Sequence, residues 1–298
     1  MKLLILDNYE SFTLVPHLKS RLESEHEVFK MGNLFTEQMW QIFKNVGPDV
    51  VFVDFCNENA VTLTQRVKEL PQKPKIVIRL HGYEAQSWFM EKIHWDEVSD
   101  LIVVSPKFKE IVESKISGVN VHVVNNGIDL EKFTLGTDFD LNQVAYAGYL
   151  NKKKGPTLLR TVMASLPLKK FHVAGTHQDE QVRLYFEALK LDNVTFHGWV
   201  ETQEFLKGKQ FILSTSVTES FGMSIAEGMA MGLTPVVHGW PGAELLWPKE
   251  CIWNTFEELN DILWTPREPA WCREWIENRY SMDKCIDRVV ELLGLSDE

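Results

Sequence analysis

The stretch STSVTESFGMSIAEGMAMGLTPVVHGWPG, Ser214 to Gly242, decides how this chain is read. An apolar run, FILSTS, leads into it, a small-residue helical run, MSIAEGMAMG, occupies its middle, and a second strand-like run, TPVVHG, follows. Strand, helix, strand is the unit of a parallel sheet covered on both faces. A core strand and helix need only the apolar letters. Here Glu219 and Glu227 stand eight positions apart, with Phe221-Gly222 between them, where the strand feeds the helix. In open α/β sheets ligands bind beyond the carboxyl ends of the strands, where helix N-termini present free N–H groups. The carboxylates therefore stand where a binding site is expected.

The same alternation extends outward in both directions. In the first half KLLILD, HEVFKM, DVVFVDF, KIVIRL, LIVVS and VHVVNN read as strands. LVPHLKSRLES, TEQMWQIFKNV, VTLTQRVKEL and FKEIVESKI carry helical spacing between them. A second series, VAYAGYL, KFHVAG, NVTFHGW, FILSTS, TPVVHG and CIWNT, repeats the pattern. Between the series, NNGIDLEKFTLGTDFDLN has turn signals and little periodicity, and reads as the connector. The C-terminal stretch gives two helices with a Ser-Met-Asp break, where Ser281 can cap the last. The expected architecture is α/β, with domains over 1-130 and 131-276 and a closing helical segment over 277-298.

Composition narrows the function classes. The chain has 298 residues, 44% of them hydrophobic, enough for two cores. No apolar run reaches the roughly 18 to 20 residues of a membrane span, and the apolar part of MKLLILDNYE is short for a signal peptide. Cys56, Cys251, Cys272 and Cys285 show no metal or disulfide spacing, so four buried thiols and a cytoplasmic location are expected. A net charge of -11 disfavours nucleic acid and anionic lipid as partners.

Each candidate residue has a plainer reading beside the functional one. His81, in RLHGYE, follows a strand and serves either a site or the local structure. Lys152, Lys153 and Lys154 before Gly155 form a solvated face, or else a loop whose ammonium groups neutralise a diphosphate, with Gly148 allowing close backbone approach. Glu227 either accepts hydrogen bonds from a ribose diol or closes a capping box with Ser224. Glu219 has no such local partner. Trp199, in HGWV, stacks on a base or packs between loop and core. Gly242 opens another helix entrance, and Asp138-Phe139-Asp140 reads as solvated turn chemistry rather than a metal site.

Taken together, these pieces resemble the family 4 retaining glycosyltransferases, of the GT-B architecture. The similarity covers most of the chain and is strongest from VVNNGIDLEKF to HGWPGAELL. The family's Pro-Asn-Gly-Val-Asp connector is matched by Asn125, Asn126, Gly127, Ile128 and Asp129, with Phe133 at its end and Asn125 in place of the proline. Its Gly-Arg-Leu followed by Lys-Gly is matched by Gly148, Leu150, Lys154 and Gly155. The decisive match is Glu, seven residues, Glu, with Phe-Gly inside it.

The resemblance implies two facing Rossmann-like doubly wound domains, with the terminal helix crossing back to the first. It implies a nucleotide-diphosphate sugar, with a UDP-sugar the expected donor of a hexose, bound mainly by the second domain. A hydroxyl acceptor would be presented by the first. Glu219 would contact the donor sugar, Glu227 the ribose, and the backbone of Phe221, Gly222, Met223 and Ser224 the sugar and diphosphate. Trp199 and Val200 complete the donor set. Lys154 would stabilise the departing diphosphate, and His81 would lie near the donor sugar. No metal and no cofactor is implied. Two departures stand out. Tyr149 occupies the place of a phosphate-binding arginine, so Lys153 or Lys152 would have to compensate. The glycine-rich loop after the first strand is replaced by DNYESF, with Asp7, Asn8 and Tyr9. A sugar-nucleotide-binding protein without transfer activity, a sugar-nucleotide epimerase and a glycosyltransferase acting on modified DNA are the competing readings.

Overall fold

The strand runs of the first half form β1 (Lys2–Asp7), β2 (Glu27–Met31), β3 (Val50–Asp54), β4 (Lys75–Leu80), β5 (Asp100–Val103) and β6 (Asn120–Val123) in the computed structural model, which describes residues 1–7, 14–32, 36–188 and 190–296. They pair in parallel in the order β2-β1-β3-β4-β5-β6. The helices α1 (Leu14–Leu22), α2 (Thr36–Val46), α3 (Glu58–Arg66), α4 (Phe89–Lys92) and α5 (Pro106–Glu113) connect them. The second half supplies β7 (Phe139–Ala147), β8 (Lys170–Ala174), β9 (Val194–Gly198), β10 (Gly208–Ser214), β11 (Thr234–His238) and β12 (Ile252–Trp253). These are also all parallel, in the order β12-β11-β10-β7-β8-β9. Its helices are α6 (Pro156–Ser165), α7 (Glu180–Glu187), α8 (Thr202–Leu206), α9 (Met223–Ala230), α10 (Phe256–Trp264) and α11 (Pro269–Arg279), and α12 (Met282–Leu293) closes the chain.

The chain divides into two units, Met1–Gly127 with Met282–Glu298, and Ile128–Ser281. In the first, successive strand residues point to opposite faces, so the unbroken apolar runs split into two cores. Leu4, Leu6, Val51, Val53, Ile76 and Ile78 meet Met39 and Phe43 of α2 and Leu63 of α3. Leu3, Ile5, Val50, Phe52 and Val77 meet Leu14 and Leu18 of α1 together with Ile286, Val289 and Val290 of α12. The terminal helix thus supplies part of the layer that α1 alone would leave short. Its buried positions recur at three- and four-residue spacing, the stripe of a helix lying on a sheet.

The crossings between the units explain the Asn-Gly-Ile-Asp motif. The Asn125 amide donates to Val104 O at 2.9 Å, and a Cβ on Gly127 would lie 2.8 Å from Met282 Cα, so only glycine lets α12 approach. Asp129 Oδ1 accepts from the N–H groups of Glu131 and Lys132. Ile128 N donates to Tyr280 O at 2.7 Å and Ile128 bridges Ser281, so residues 277–281 belong with the second unit.

The connector is shorter than the sequence suggests, because β7 begins at Phe139 rather than near Val144. Its first residues lie outside the core, with Asp140, Leu141 and Asn142 exposed, and its ladder with β10 shifts register between Lys209 and Phe211, so this end lacks the buried apolar run that marks the other strands. Asp140 lies in this strand, where its carboxylate accepts from Asn142 N at 2.8 Å.

Candidate active site

In the second sheet, β7 and β10 lie side by side although the chain visits two strands between them. The connections from these neighbours leave in opposite directions, which makes a crevice at their carboxyl ends. After β7 come Gly148, the turn of Lys152–Lys154 and the start of α6; after β10 comes the loop to Glu219. The two loops are stitched together. Thr215 Oγ1 donates to Lys154 O at 2.8 Å and Val217 N to Lys153 O at 2.9 Å. Gly155 has φ +62°, and a Cβ there would lie 2.2 Å from Thr215 O, so glycine is what allows the approach.

This stitching brings Lys154 and Glu219 into contact, ammonium against carboxylate. Ser220 N donates to Glu219 Oε1 at 3.1 Å. Gly148, with φ +148°, borders the same lysine, since a Cβ on it would lie 3.9 Å from Lys154 Cε. Lys152 instead faces Asp179 at the surface, and Lys153 is exposed, so of the three ammonium groups only that of Lys154 is built into the crevice. Sequence reasoning passed over Thr215 and His238. His238 Nδ1 donates to Ser216 O at 2.8 Å and so anchors the Glu219 loop from the end of β11. Its position at the end of TPVVHG was the available signal.

The Phe-Gly pair has a packing reason and a functional consequence. Phe221 is buried against Trp247 and Tyr280, with ring centroids 5.6 and 5.0 Å away. That anchor turns the chain at Gly222, which takes φ +98° as the N-cap of α9. The cap is glycine, with no side-chain cap bond, so Ser224 is not the capping residue and the capping box, the plainer of the two readings of Glu227, does not form. The first N–H groups of α9, at Met223 and Ser224, precede any intrahelical acceptor. Glu227 stands a turn inside the helix, half-buried, and burial pushes its carboxyl up to about 7 against the opposing charge of Lys132. Among the described residues its carboxylate has no hydrogen-bond partner.

At the far side of the same sheet, Trp199 is 69% exposed and Tyr149 is 44% exposed, with ring centroids 6.0 Å apart. Trp199 is therefore not packed between loop and core. It follows β9, an edge strand whose residues from Thr195 to Gly198 are themselves exposed. Tyr149 and Trp199 together offer flat apolar surface, and Val200 beside them is half-buried.

His81 belongs to the first unit, at the end of β4. Its Nε2 lies 3.2 Å from Asp54 Oδ1 at the end of the neighbouring β3, and Arg79 Nη1 donates to the same oxygen at 3.0 Å. Burial works against the Asp54 carboxylate, but Arg79 and His81 outweigh it and hold its pKa down to about 2. Burial, seconded by Arg79, lowers the imidazole pKa against the pull of Asp54. Glu84 accepts from His81 N at 2.6 Å, and burial raises its carboxyl to about 8. Asp7 lies at the end of β1, 3.1 Å from the Lys30 ammonium, while Asn8 and Tyr9 lie outside the described residues. Among the described residues no three His, Cys, Asp or Glu side chains are grouped to hold a metal ion.

Residues 128–244 match the family described as glycosyl transferases group 1. A Klebsiella pneumoniae protein described as an uncharacterized 41.2 kDa protein in the cps region is 23% identical over 218 residues. That match takes in 62% of this chain and 58% of the Klebsiella protein's length. Among solved structures, the apo form of the lipopolysaccharide outer core galactosyltransferase WaaB has a TM-score of 0.74 at 16% identity, covering 99% of both chains. Anabaena Alr3699/HepE in complex with UDP and glucose has a TM-score of 0.77 at 14% identity, again covering 99% of both. At these identities the likeness speaks for the fold, which is GT-B.

Proposed function

We propose that this chain, whose second unit carries a glycosyl transferases group 1 domain, is a retaining hexosyltransferase that uses a nucleotide-diphosphate sugar, with UDP-sugars the first candidates, and a hydroxyl acceptor. The observation that carries the reading is the Lys154–Glu219 pair beside the N-terminus of α9, at the switch point of the second sheet. A diphosphate placed there meets helix N–H groups and one ammonium. Glu219 can exchange its lysine for sugar hydroxyls, and Glu227 can accept two hydrogen bonds from a ribose diol. Tyr149 and Trp199 offer a base their faces. The complex of HepE with UDP and glucose favours uridine as the first base to try.

In the proposed step the bond from C1 to the phosphate oxygen breaks and its electron pair leaves with the diphosphate. The acceptor oxygen bonds C1 on the same face, and the acceptor's proton passes to the departing oxygen. The protein's part is to hold both partners and to balance the charge growing on the leaving group. Lys154 and the N-terminus of α9 balance it without a metal ion. Four free, buried cysteines accord with a cytoplasmic setting.

The experiment is a panel of nucleotide sugars with the purified chain, following donor consumption with and without chelator and the anomeric configuration of any product by NMR. Consumption that survives chelation and keeps the donor's configuration supports the reading. Loss restored by manganese or magnesium removes metal independence, and an inverted product removes retention. Tyr149 in place of an arginine favours one second reading, a sugar-nucleotide-binding protein; tight donor binding with no consumption is its signature.

A further inference from the structure

We propose that Asp54 is a positioning residue that holds His81 in the Nε2-protonated tautomer, leaving Nδ1 as the acceptor for a substrate hydroxyl. The identity of that hydroxyl, on a sugar donor or its acceptor, rests on the proposed transferase function; the state of the ring does not.

Four contacts converge on His81. Asp54 Oδ1 faces Nε2 and is itself held by Arg79 Nη1, whose Nη2 donates to Asn126 Oδ1. The Phe55 ring stacks on the imidazole, centroids 3.9 Å apart and planes 14° from parallel. To reach it Phe55 takes φ +69°, the only positive φ outside glycine among the described residues, in a region that non-glycine backbone avoids. The Glu84 carboxyl holds the backbone N–H of His81, and Ala85 N donates to its carbonyl. Ring plane, ring edge and backbone are each fixed by a different partner. A histidine that merely filled space at a strand end would not need its ring clamped by a strained neighbour.

The charges decide which ring nitrogen carries the proton. Asp54 is fully buried and ionised, so it can only accept, and Nε2 must donate. Burial, with the neighbouring Arg79 charge second to it, disfavours a second proton on the ring. Of the other titratable groups around this cluster, Glu84, Cys56 and Cys285 have pKa values raised by burial, and Asp7, opposite Asp54 in the sheet register, faces the Lys30 ammonium at 3.1 Å. Nδ1 is left without a partner among the described residues, on a side chain that keeps 18% of its surface exposed. A neutral imidazole nitrogen in that state accepts from a hydroxyl, and the hydrogen bond at the other nitrogen sets its basicity.

The test reads the ring directly. In the full chain labelled with 15N-histidine, with the His81 signals assigned by their loss in His81→Gln, long-range 1H–15N correlation is expected to show a protonated Nε2 and a bare Nδ1 from about pH 6 to 8. Adding a nucleotide sugar with an acceptor is expected to move the Nδ1 shift in the direction of hydrogen bonding. Asp54→Asn is expected to admit the second tautomer and to lower kcat about tenfold or more, as second-layer partners of functional histidines do, with affinity for the nucleoside diphosphate within about twofold. A ring protonated at Nδ1 in the unaltered protein overturns the proposal, and so does a changed tautomer in Asp54→Asn with kcat intact. If Asp54→Asn does not fold, an Nδ1 shift indifferent to substrates overturns it instead. Failure of the unaltered protein to consume any donor would count against the transferase reading, while its ring spectrum still judges Asp54.

Discussion

Lowering the pH should weaken donor binding through one residue, Glu227. Its carboxyl is held up to about 7 by burial, with no hydrogen-bond partner among the described residues to favour the charged form. Only the carboxylate can accept both hydrogens of a diol, so binding must draw on the ionised fraction. With a pKa near 7, that fraction falls from about nine-tenths at pH 8 to about one-thirtieth at pH 5.5, so affinity should drop about 30-fold, or about 2 kcal/mol. Titration calorimetry with an intact nucleotide sugar suits the measurement, because its diphosphate stays ionised across this range. At about pH 6.5, buffers of different ionisation enthalpy should reveal about 0.7 to 0.8 of a proton released per ligand bound. Glu227→Gln should abolish both the release and the slope. At pH 8 it should bind about tenfold to a hundredfold more weakly, as expected for losing hydrogen bonds to a charged acceptor. Glu84 also titrates near this range but lies in the other unit and remains in the variant, so the difference between the two proteins isolates Glu227. A pH-independent affinity, or proton release that persists in Glu227→Gln, would refute the assignment.

Three further outcomes are expected. Glu84 has a folded-state pKa raised to about 8, so the stability it contributes is fully present below the ordinary carboxylate value and is lost progressively from there up to about pH 8; Glu84→Gln should be near neutral at about pH 4 and more stable than the parent by a few kcal/mol at pH 9, read from thermal unfolding. Lys154→Ala should lower both nucleoside diphosphate affinity and the single-turnover rate, each by about tenfold or more, because leaving-group charge grows towards the transition state; values within about twofold would return the lysine run to a solvated face. Gly155→Ala adds a Cβ only 2.2 Å from Thr215 O at φ +62°, and chemical denaturation should show a loss of about 3 kcal/mol, with weaker donor binding as the Lys154 and Glu219 loops separate.

Much of this protein is legible in its letters. A parallel strand buried on both faces is apolar along most of its length, so β1, β3 and β4 announce themselves through the apolar runs over 3–6, 50–53 and 76–78. Polar residues and glycines directly after such runs mark strand ends, and His81, Gly148, Lys154 and Glu219 all stand at such places. The amphipathic stripe of α12 is equally plain. Strand order is not legible, because the apolar code of a buried parallel strand does not say which neighbour it pairs with. Only the tertiary structure makes β7 and β10 neighbours, and with them Lys154 and Glu219, 65 positions apart. The same holds for Asp54, 27 positions from His81, which looks like one more strand letter until β3 and β4 lie side by side. The Ser224–Glu227 spacing fits a capping box, yet the aromatic anchor of Phe221 brings the chain in through Gly222 and leaves Glu227 without that partner. Trp199 has the composition of a core residue and becomes exposed because β9 is an edge. Protonation states belong to the same class: Glu84 and Asp54 are both carboxylates in the sequence, and burial raises the pKa of one while an arginine and a histidine hold the other down. Local pattern determined the elements and where chemistry would gather. Long-range packing decided which residues meet there and what charge each one carries, because adjacency and desolvation exist only once the sheet has closed.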